Sequence, residues 1–159
     1  SHLKRRHVMP NNIKITIKAA EVVIANFLEI PDYPKDKASG YLAERRKKDG
    51  RVLFVTQVGE CPLGKIHRYF HFSLEKGERL FQFFHSRGDV SSWQSKSNEE
   101  EKYPGAIIAG ESILSFSGLP ALADEALSLI IALRRNMMTS QQASDIAHLS
   151  SNPYFLKKT

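Results

Sequence analysis

The sequence predicts an α/β fold of the α+β type, in which a mainly antiparallel sheet is flanked by helices. A run of β-branched and aromatic residues at 52–58 predicts a strand. An apolar stripe with helical spacing after Pro120 predicts a long helix. The elements follow the order helix, hairpin, helix, loop, strands, helix, which a mainly antiparallel sheet accommodates without long crossover connections.

The composition is that of one ordinary globular domain. The chain has 159 residues, of which 42% are hydrophobic and 25% are charged, so it is not a wholly disordered chain. We expect residues 1–10 to be a flexible or non-native N-terminal extension and residues 11–159 to form a single domain. With one cysteine, no apolar run long enough for a membrane span and no signal-peptide pattern, the sequence predicts a cytoplasmic protein.

The first predicted element is a helix that ends before Pro31. Its apolar residues fit one helical face, and Thr16 is placed to cap the run IKAAEVVIANFLE. The charged segment from Pro31 to Gly50 is predicted to be a long connection. Within it, one block of helical turn is expected from Gly40 to Lys48.

A hairpin is predicted next, over residues 52–72. Residues 52–58 form its first arm, GECPLG supplies the turn, and Lys65 to Phe72 alternates side chains as the returning arm. Ser73 is then placed to cap a helix that reaches about Ser86.

The last third of the chain predicts a second hairpin and two helices. The apolar runs 106–109 and 113–116 are predicted to form this hairpin or a bulged strand pair, and Ser140 caps the final short helix. Pro120 suits the first turn of the longer helix, and Asp124 and Glu125 lie near its positive end. The buried stripe of this helix is predicted to be Leu122, Ala126, Leu129, Ile130, Leu133 and Met137.

The net charge of +6 permits an acidic partner. Part of the excess lies in the run Arg45, Arg46, Lys47 and Lys48, which we expect to be exposed to solvent. A charge run of this kind is usually a solvated surface. A basic module that binds nucleic acid through these four residues is therefore an alternative function, and not the favoured one.

Two catalytic signatures are absent from the sequence. Gly110-Glu111-Ser112 begins like the nucleophile elbow of serine hydrolases, but Leu114 stands where that motif requires glycine. The segment VGECPLGK has no Ser or Thr after its lysine and lacks the glycine spacing of a P-loop.

Three residues of the predicted first hairpin are candidates for ligand binding. Cys61 lies at its tip, and the Cys61-Pro62 dipeptide is similar to thiolate haem contacts, although Pro62 equally suits a turn. His67 and His71 share one side of the returning arm, but no further metal ligands are spaced around them. Two alternatives stay open: one histidine packs while the other is solvated, or one acts as an enzyme's acid or base.

Ser117-Gly118 is predicted to turn the last strand onto the long helix. The exposed N–H groups at the start of that helix offer a place for an anion or a carboxylate.

Four segments resemble the GlcG/HbpS-like family, which includes the C-terminal domain of PduO proteins. ITIKAAEVVIANFL is similar to the opening helix of the family, and RVLFVTQVGE with PLGKIH is similar to its first hairpin. SLEKGERLFQFF resembles its lysine-containing helix, and GESILSFSGLPALADEALSLIIA resembles its last strand, Ser-Gly turn and acidic helix.

The resemblance implies a profilin-like fold, frequent homo-oligomers, and binding of tetrapyrroles or other small molecules in some members. We therefore expect a small-molecule-binding or accessory protein, with haem as a candidate cofactor. The candidate binding residues are Cys61, His67, His71, Ser117 and Gly118. Whether such a protein catalyses a reaction stays open.

Overall fold

The computed structural model describes the backbone of residues 2–156 and the side chains of residues 12–156. Five helices and four strands lie in this range. In chain order they are α1 (His2–Leu28), β1 (Gly40–Arg46), β2 (Val52–Val58), α2 (Ile66–Arg87), β3 (Ala106–Ala109), β4 (Ser112–Ser117), α3 (Ala121–Arg134), α4 (Ser140–Leu149) and α5 (Pro153–Leu156). Single 3-10 turns at Leu63–Lys65 and Ser92–Ser95 precede α2 and β3.

The four strands form one antiparallel sheet in the order β2-β1-β4-β3. Helices α1, α3, α4 and α5 pack on one face, where Leu42, Leu114 and Phe116 enter the main core. Helix α2 packs on the opposite face, where Leu80 contacts Ile113. The predicted α+β fold, with a mainly antiparallel sheet flanked by helices, is therefore confirmed.

Helix α3 agrees closely with the sequence prediction. It starts directly after Pro120, and Ala126 and Leu129 are fully buried. The other four predicted stripe residues are only partly buried, and one of them, Met137, lies beyond the end of α3. The second hairpin and the short helix α4 are also confirmed, but Thr139, and not Ser140, caps α4 through a capping box with Gln142.

The first predicted hairpin is wrong in its second arm. Residues 66–87 form helix α2, and β2 pairs with β1. The buried residues Tyr69, Phe72, Lys76 and Leu80 follow a helical stripe that continues well beyond the short alternation at residues 65–72. Ser73 is therefore inside the helix, where its hydroxyl donates to the carbonyl of Phe70, and it is not a cap.

The block predicted as a helical turn at residues 40–48 is wrong, since residues 40–46 form the central strand β1. Glu44 and Arg45 are buried in this strand. Glu44 accepts hydrogen bonds from Arg135 and Ser112. The strand tolerates its charges because other elements supply these partners.

The predicted exposure of the basic run is wrong for Arg45. Only 7% of this residue is accessible, and its guanidinium donates to the carbonyls of Gly50 and Leu74. Arg46 and Lys48 are exposed as predicted, and Lys47 is half-buried.

Helix α1 ends at Leu28, before Pro31 as predicted, but its start differs from the prediction. The helix begins at His2, so it also includes residues assigned to the N-terminal extension. Thr16 lies inside it and donates to the carbonyl of Asn12 at 2.7 Å, which excludes the predicted capping role.

Strand β2 lies at an edge of the sheet and exposes Val52 and Leu53. An edge strand offers unpaired backbone groups to a second chain. The homo-oligomer implied by the family resemblance stays a prediction.

Candidate functional site

A cavity of about 230 Å³ lies where the end of β4 and the start of α3 meet the first half of α2. We call it the Lys76 cavity. Its described lining residues are three aromatic residues, three cations, one carboxylate and the turn between β4 and α3. They are Tyr69, Phe72, Tyr103, Lys37, Arg68, Lys76, Asp124, Ser117, Gly118, Leu119 and Ala121.

Ser117 and Gly118 form one wall of the cavity, which is where the sequence placed an anion site. Gly118 has φ 144°, and a Cβ at this position would overlap the carbonyl oxygen of Ser39. Only glycine combines this backbone conformation with such a close approach. The chain therefore turns from the sheet into α3 with its backbone against the start of β1.

Replacing Gly118 by alanine is expected to destabilise the fold by about 1–3 kcal/mol or more, because the added methyl group meets backbone in a strained conformation. Urea unfolding followed by circular dichroism measures the change. Gly64→Ala is the matched control, since a Cβ at Gly64 meets no described atom within 4 Å. Equal stability of the two variants would contradict the tight turn.

Lys76 connects α2 to this turn through buried polar contacts. Its side chain is 2% exposed, and its Nζ donates to Asp124 Oδ2 and to the carbonyl oxygen of Phe116, each at 2.9 Å. The N–H of Leu119 donates to Asp124 Oδ1 at 2.9 Å. Both oxygens of the carboxylate are therefore held by the protein, and the amino group retains one N–H beyond these two bonds.

Gly105 makes room for the amino group of Lys76. This glycine has φ 139°, and a Cβ there would lie 2.8 Å from Lys76 Nζ and 2.6 Å from the carbonyl oxygen of Phe116. A side chain at this position would displace the lysine from its place beside Asp124.

Burial shifts both members of the ion pair toward their neutral forms. Desolvation lowers the pKa of Lys76, against the attraction of the Asp124 charge. Desolvation also raises the pKa of Asp124 to about 6, against Lys76 and the N–H groups of Leu119 and Gly118. These shifts reduce the cost of moving a proton from the ammonium group to the carboxylate.

Two further cations lie at the cavity. Arg68 is about half exposed, its guanidinium lies 4.9 Å from the Phe72 ring centroid, and its closest carboxylate contact is Glu101 at 3.9 Å. Lys37 donates to the hydroxyl of Tyr69 at 3.4 Å. Since Lys76 already neutralises Asp124, Arg68 and Lys37 leave the described lining with an excess of positive charge.

The predicted haem residues are arranged differently from the sequence expectation. Cys61 is buried in the connection between β2 and α2, where its thiol donates to the carbonyl of Gly40 at 3.7 Å and burial raises its pKa. His67 and His71 do share one side, but on the exposed surface of α2, where both line an open groove of about 380 Å³. Cys61 does not line that groove.

The part of the chain that the structure describes contains no group of three or more His, Cys, Asp or Glu side chains with a geometry suited to a metal ion. Haem binding through Cys61, His67 or His71 stays a prediction. The hairpin that would have brought the three residues together is replaced by a helix.

Lys76 was not among the candidate binding residues, although the sequence contains a pattern that indicates a role for it. It occupies a position of the apolar stripe that also contains Phe72 and Leu80, where an unpaired lysine would be costly. A lysine on a buried stripe therefore implies a carboxylate partner. Its partner, Asp124, lies 48 residues later and was interpreted only as a favourable charge at a helix start.

Comparison with known proteins gives no match for this chain: no family model, no curated protein and no solved structure matches it. None of the helices in residues 2–156 has both the length and the apolar character needed to cross a bilayer. The fold and the cavity together define an α+β protein with a small, positively charged, aromatic-lined site between its sheet and two of its helices.

Proposed function

We propose that this protein binds a small anionic organic molecule in the Lys76 cavity. The observation that carries the proposal is the excess positive charge of the cavity. Arg68 and Lys37 have no role in the Lys76–Asp124 pair, and both line the space beside it. A carboxylate or phosphate group in that space would form charge-assisted hydrogen bonds with them.

The start of α3 adds to this preference for an anion. Ala121 lines the cavity in the first turn of the helix, and the first N–H groups of a helix have no intrahelical partner. The helix dipole also favours negative charge at this end.

The size and the walls of the cavity restrict the ligand further. A volume of about 230 Å³ is smaller than the roughly 300–1,000 Å³ of sites for drug-sized molecules, so the ligand is a small metabolite. Tyr69, Phe72 and Tyr103 give the cavity aromatic surface, and the two tyrosines add hydroxyl groups. An organic acid with a short apolar or aromatic part fits these walls.

Titration of labelled protein with benzoate and lactate, followed by amide chemical shifts, tests the proposal. Benzamide is the uncharged match for benzoate. We expect the acids to shift amides of the β4–α3 turn and of α2, and benzamide to bind at least about tenfold more weakly, because a charged hydrogen bond contributes about 1.5–3 kcal/mol.

Two variants locate the binding site. Arg68→Ala and Lys37→Ala should each weaken binding of the acids, whereas Lys48→Ala, which removes an exposed lysine outside the cavity lining, should not. The proposal would be contradicted if charged and uncharged ligands bound equally well. It would also be contradicted if Lys48→Ala weakened binding as much as Arg68→Ala does.

The basic run gives less support to the nucleic-acid alternative. The buried guanidinium of Arg45 donates to the carbonyl oxygens of Gly50 and Leu74. Fewer cations of the run are therefore available to a nucleic acid than its sequence implies.

A further inference from the structure

Lys76, whose side chain is 2% exposed, lines a cavity that, under the proposed function, receives an organic acid. A buried cation usually has all of its donors occupied by the protein. Arg79, for example, is buried on the same helix, and its donors are used by Glu75, Ser92, Ser95 and Tyr103. Lys76 differs because it lines the cavity and its ammonium group has one N–H beyond its two protein contacts.

We propose that Lys76 forms an imine with the carbonyl carbon of a small 2-oxo acid bound in the Lys76 cavity. This inference rests on the proposed function, since the carboxylate of the acid is the group that Arg68 and Lys37 hold. In a 2-oxo acid the carbonyl is bonded directly to the carboxylate carbon. Lys76 lines the same cavity, so the carbonyl of an acid held at those cations lies in the space that Lys76 borders.

The identity of the buried cation supports a chemical role. An arginine would pair with Asp124 in a bidentate manner and would stay protonated, whereas a lysine loses its proton readily when it is buried. Asp124 lies 2.9 Å from the amino group and is the acceptor for that proton. The lowered pKa of Lys76 and the raised pKa of Asp124 both favour transfer of this proton to the carboxylate.

The step is balanced within the site. Asp124 takes a proton from the ammonium group, and the free amine adds to the carbonyl carbon. The C–N bond forms as the carbonyl π bond breaks, and a proton passes from the attacking nitrogen to the former carbonyl oxygen. The resulting carbinolamine then loses its hydroxyl group as water, with the proton returned by Asp124, and the C=N bond forms. The net change is ammonium plus carbonyl to protonated imine plus water, with Asp124 again a carboxylate and with no oxidation or reduction.

Borohydride trapping of the full chain provides the test. The protein is incubated with pyruvate or phenylglyoxylate, reduced with sodium borohydride and digested, and the modified peptide is identified by mass. Lactate and mandelate are the matched acids without the carbonyl. We expect one reduced adduct, located on Lys76, that an excess of lactate or mandelate suppresses.

Two variants complete the test. Lys76→Arg keeps the charge beside Asp124 but has no amine that forms an imine, and we expect no adduct above background. Lys65→Arg removes an exposed lysine at the turn before α2 and should leave the adduct unchanged. The wild-type peptide map decides the question even if Lys76→Arg fails to fold.

The outcomes separate this inference from the proposed function. If lactate and mandelate bind in the cavity but Lys76 carries no adduct, or if adducts are spread over the surface lysines, the imine is refuted and anion binding stands. If benzoate, the oxo acids and their hydroxy counterparts all fail to shift amides of the cavity, both proposals fall.

Discussion

Replacing Leu129 by aspartate is expected to unfold the domain. Leu129 is fully buried in the main core, to which α3, the sheet and α1 all contribute. Burying an unpaired carboxylate there costs several kcal/mol, against a total stability of roughly 5–15 kcal/mol for a domain of this kind. The near-UV circular dichroism and the cooperative thermal transition should both be lost.

Leu129→Met is the matched control at the same position. It conserves volume and polarity, so it is expected to cost less than about 1.5 kcal/mol and to keep the cooperative transition. An aspartate variant that melts cooperatively at the wild-type temperature would refute the placement of α3 against the sheet.

Elements with strong local signals were predicted well from the sequence. Strand β2 is rich in β-branched and aromatic residues, and α3 has an apolar stripe with proline at its start. The turn at Ser117-Gly118 was predicted for the same reason, since a glycine with positive φ is a local requirement. In each case neighbouring residues in the sequence determine the conformation.

Strand β1 was missed because its stabilisation is not local. Its sequence, GYLAERR, contains charged residues that are unfavourable in a central strand when viewed alone. Glu44 is satisfied by Arg135, which lies 91 residues away, and Arg45 by Leu74, which lies 29 residues away. Propensity and periodicity cannot detect partners at these separations.

Glu125 in α3 shows the same limit. Its position near the start of α3 was explained by the helix dipole alone. In the structure it is fully buried and accepts hydrogen bonds from Ser91, Ser150 and Asn152. Those partners are distant in the sequence, so no local pattern indicated that this carboxylate is part of the core.

The candidate site contains residues whose placement is determined by local sequence and residues that only the folded structure brings together. Ser117 and Gly118 were identified from local turn chemistry, whereas Lys76 and Asp124 are joined only by the folding of α2 against the start of α3. The three residues grouped on a predicted hairpin, Cys61, His67 and His71, separated once that segment proved to be helical. Of the five candidate residues, Ser117 and Gly118 therefore line the cavity, and the other three do not.

Replacing Lys76 by methionine is expected to destabilise the fold by about 3–5 kcal/mol at pH 8, because it leaves the buried Asp124 carboxylate without its cation. The loss should decrease as the pH is lowered. In the wild type, burial raises the pKa of Asp124 from 3.8 to about 6, so its stabilising contribution is complete below about pH 4 and is lost as the pH rises through 6. Without Lys76 the pKa of Asp124 rises further, and the variant continues to lose stability above pH 6 while the wild type does not.

Urea unfolding of both proteins from pH 5 to pH 8 measures this difference, and subtraction of the wild-type curve removes the titrations that the two proteins share. The double variant Lys76→Met with Asp124→Asn is the control. It removes the unpaired charge while the asparagine amide still offers an oxygen to the N–H of Leu119, so it should be more stable than the single variant at pH 8 and should lack the added pH dependence. A single variant whose destabilisation is the same at pH 5 and pH 8 would show that Asp124 does not depend on Lys76 for its charge, and the proton transfer on which the imine depends would lose its basis.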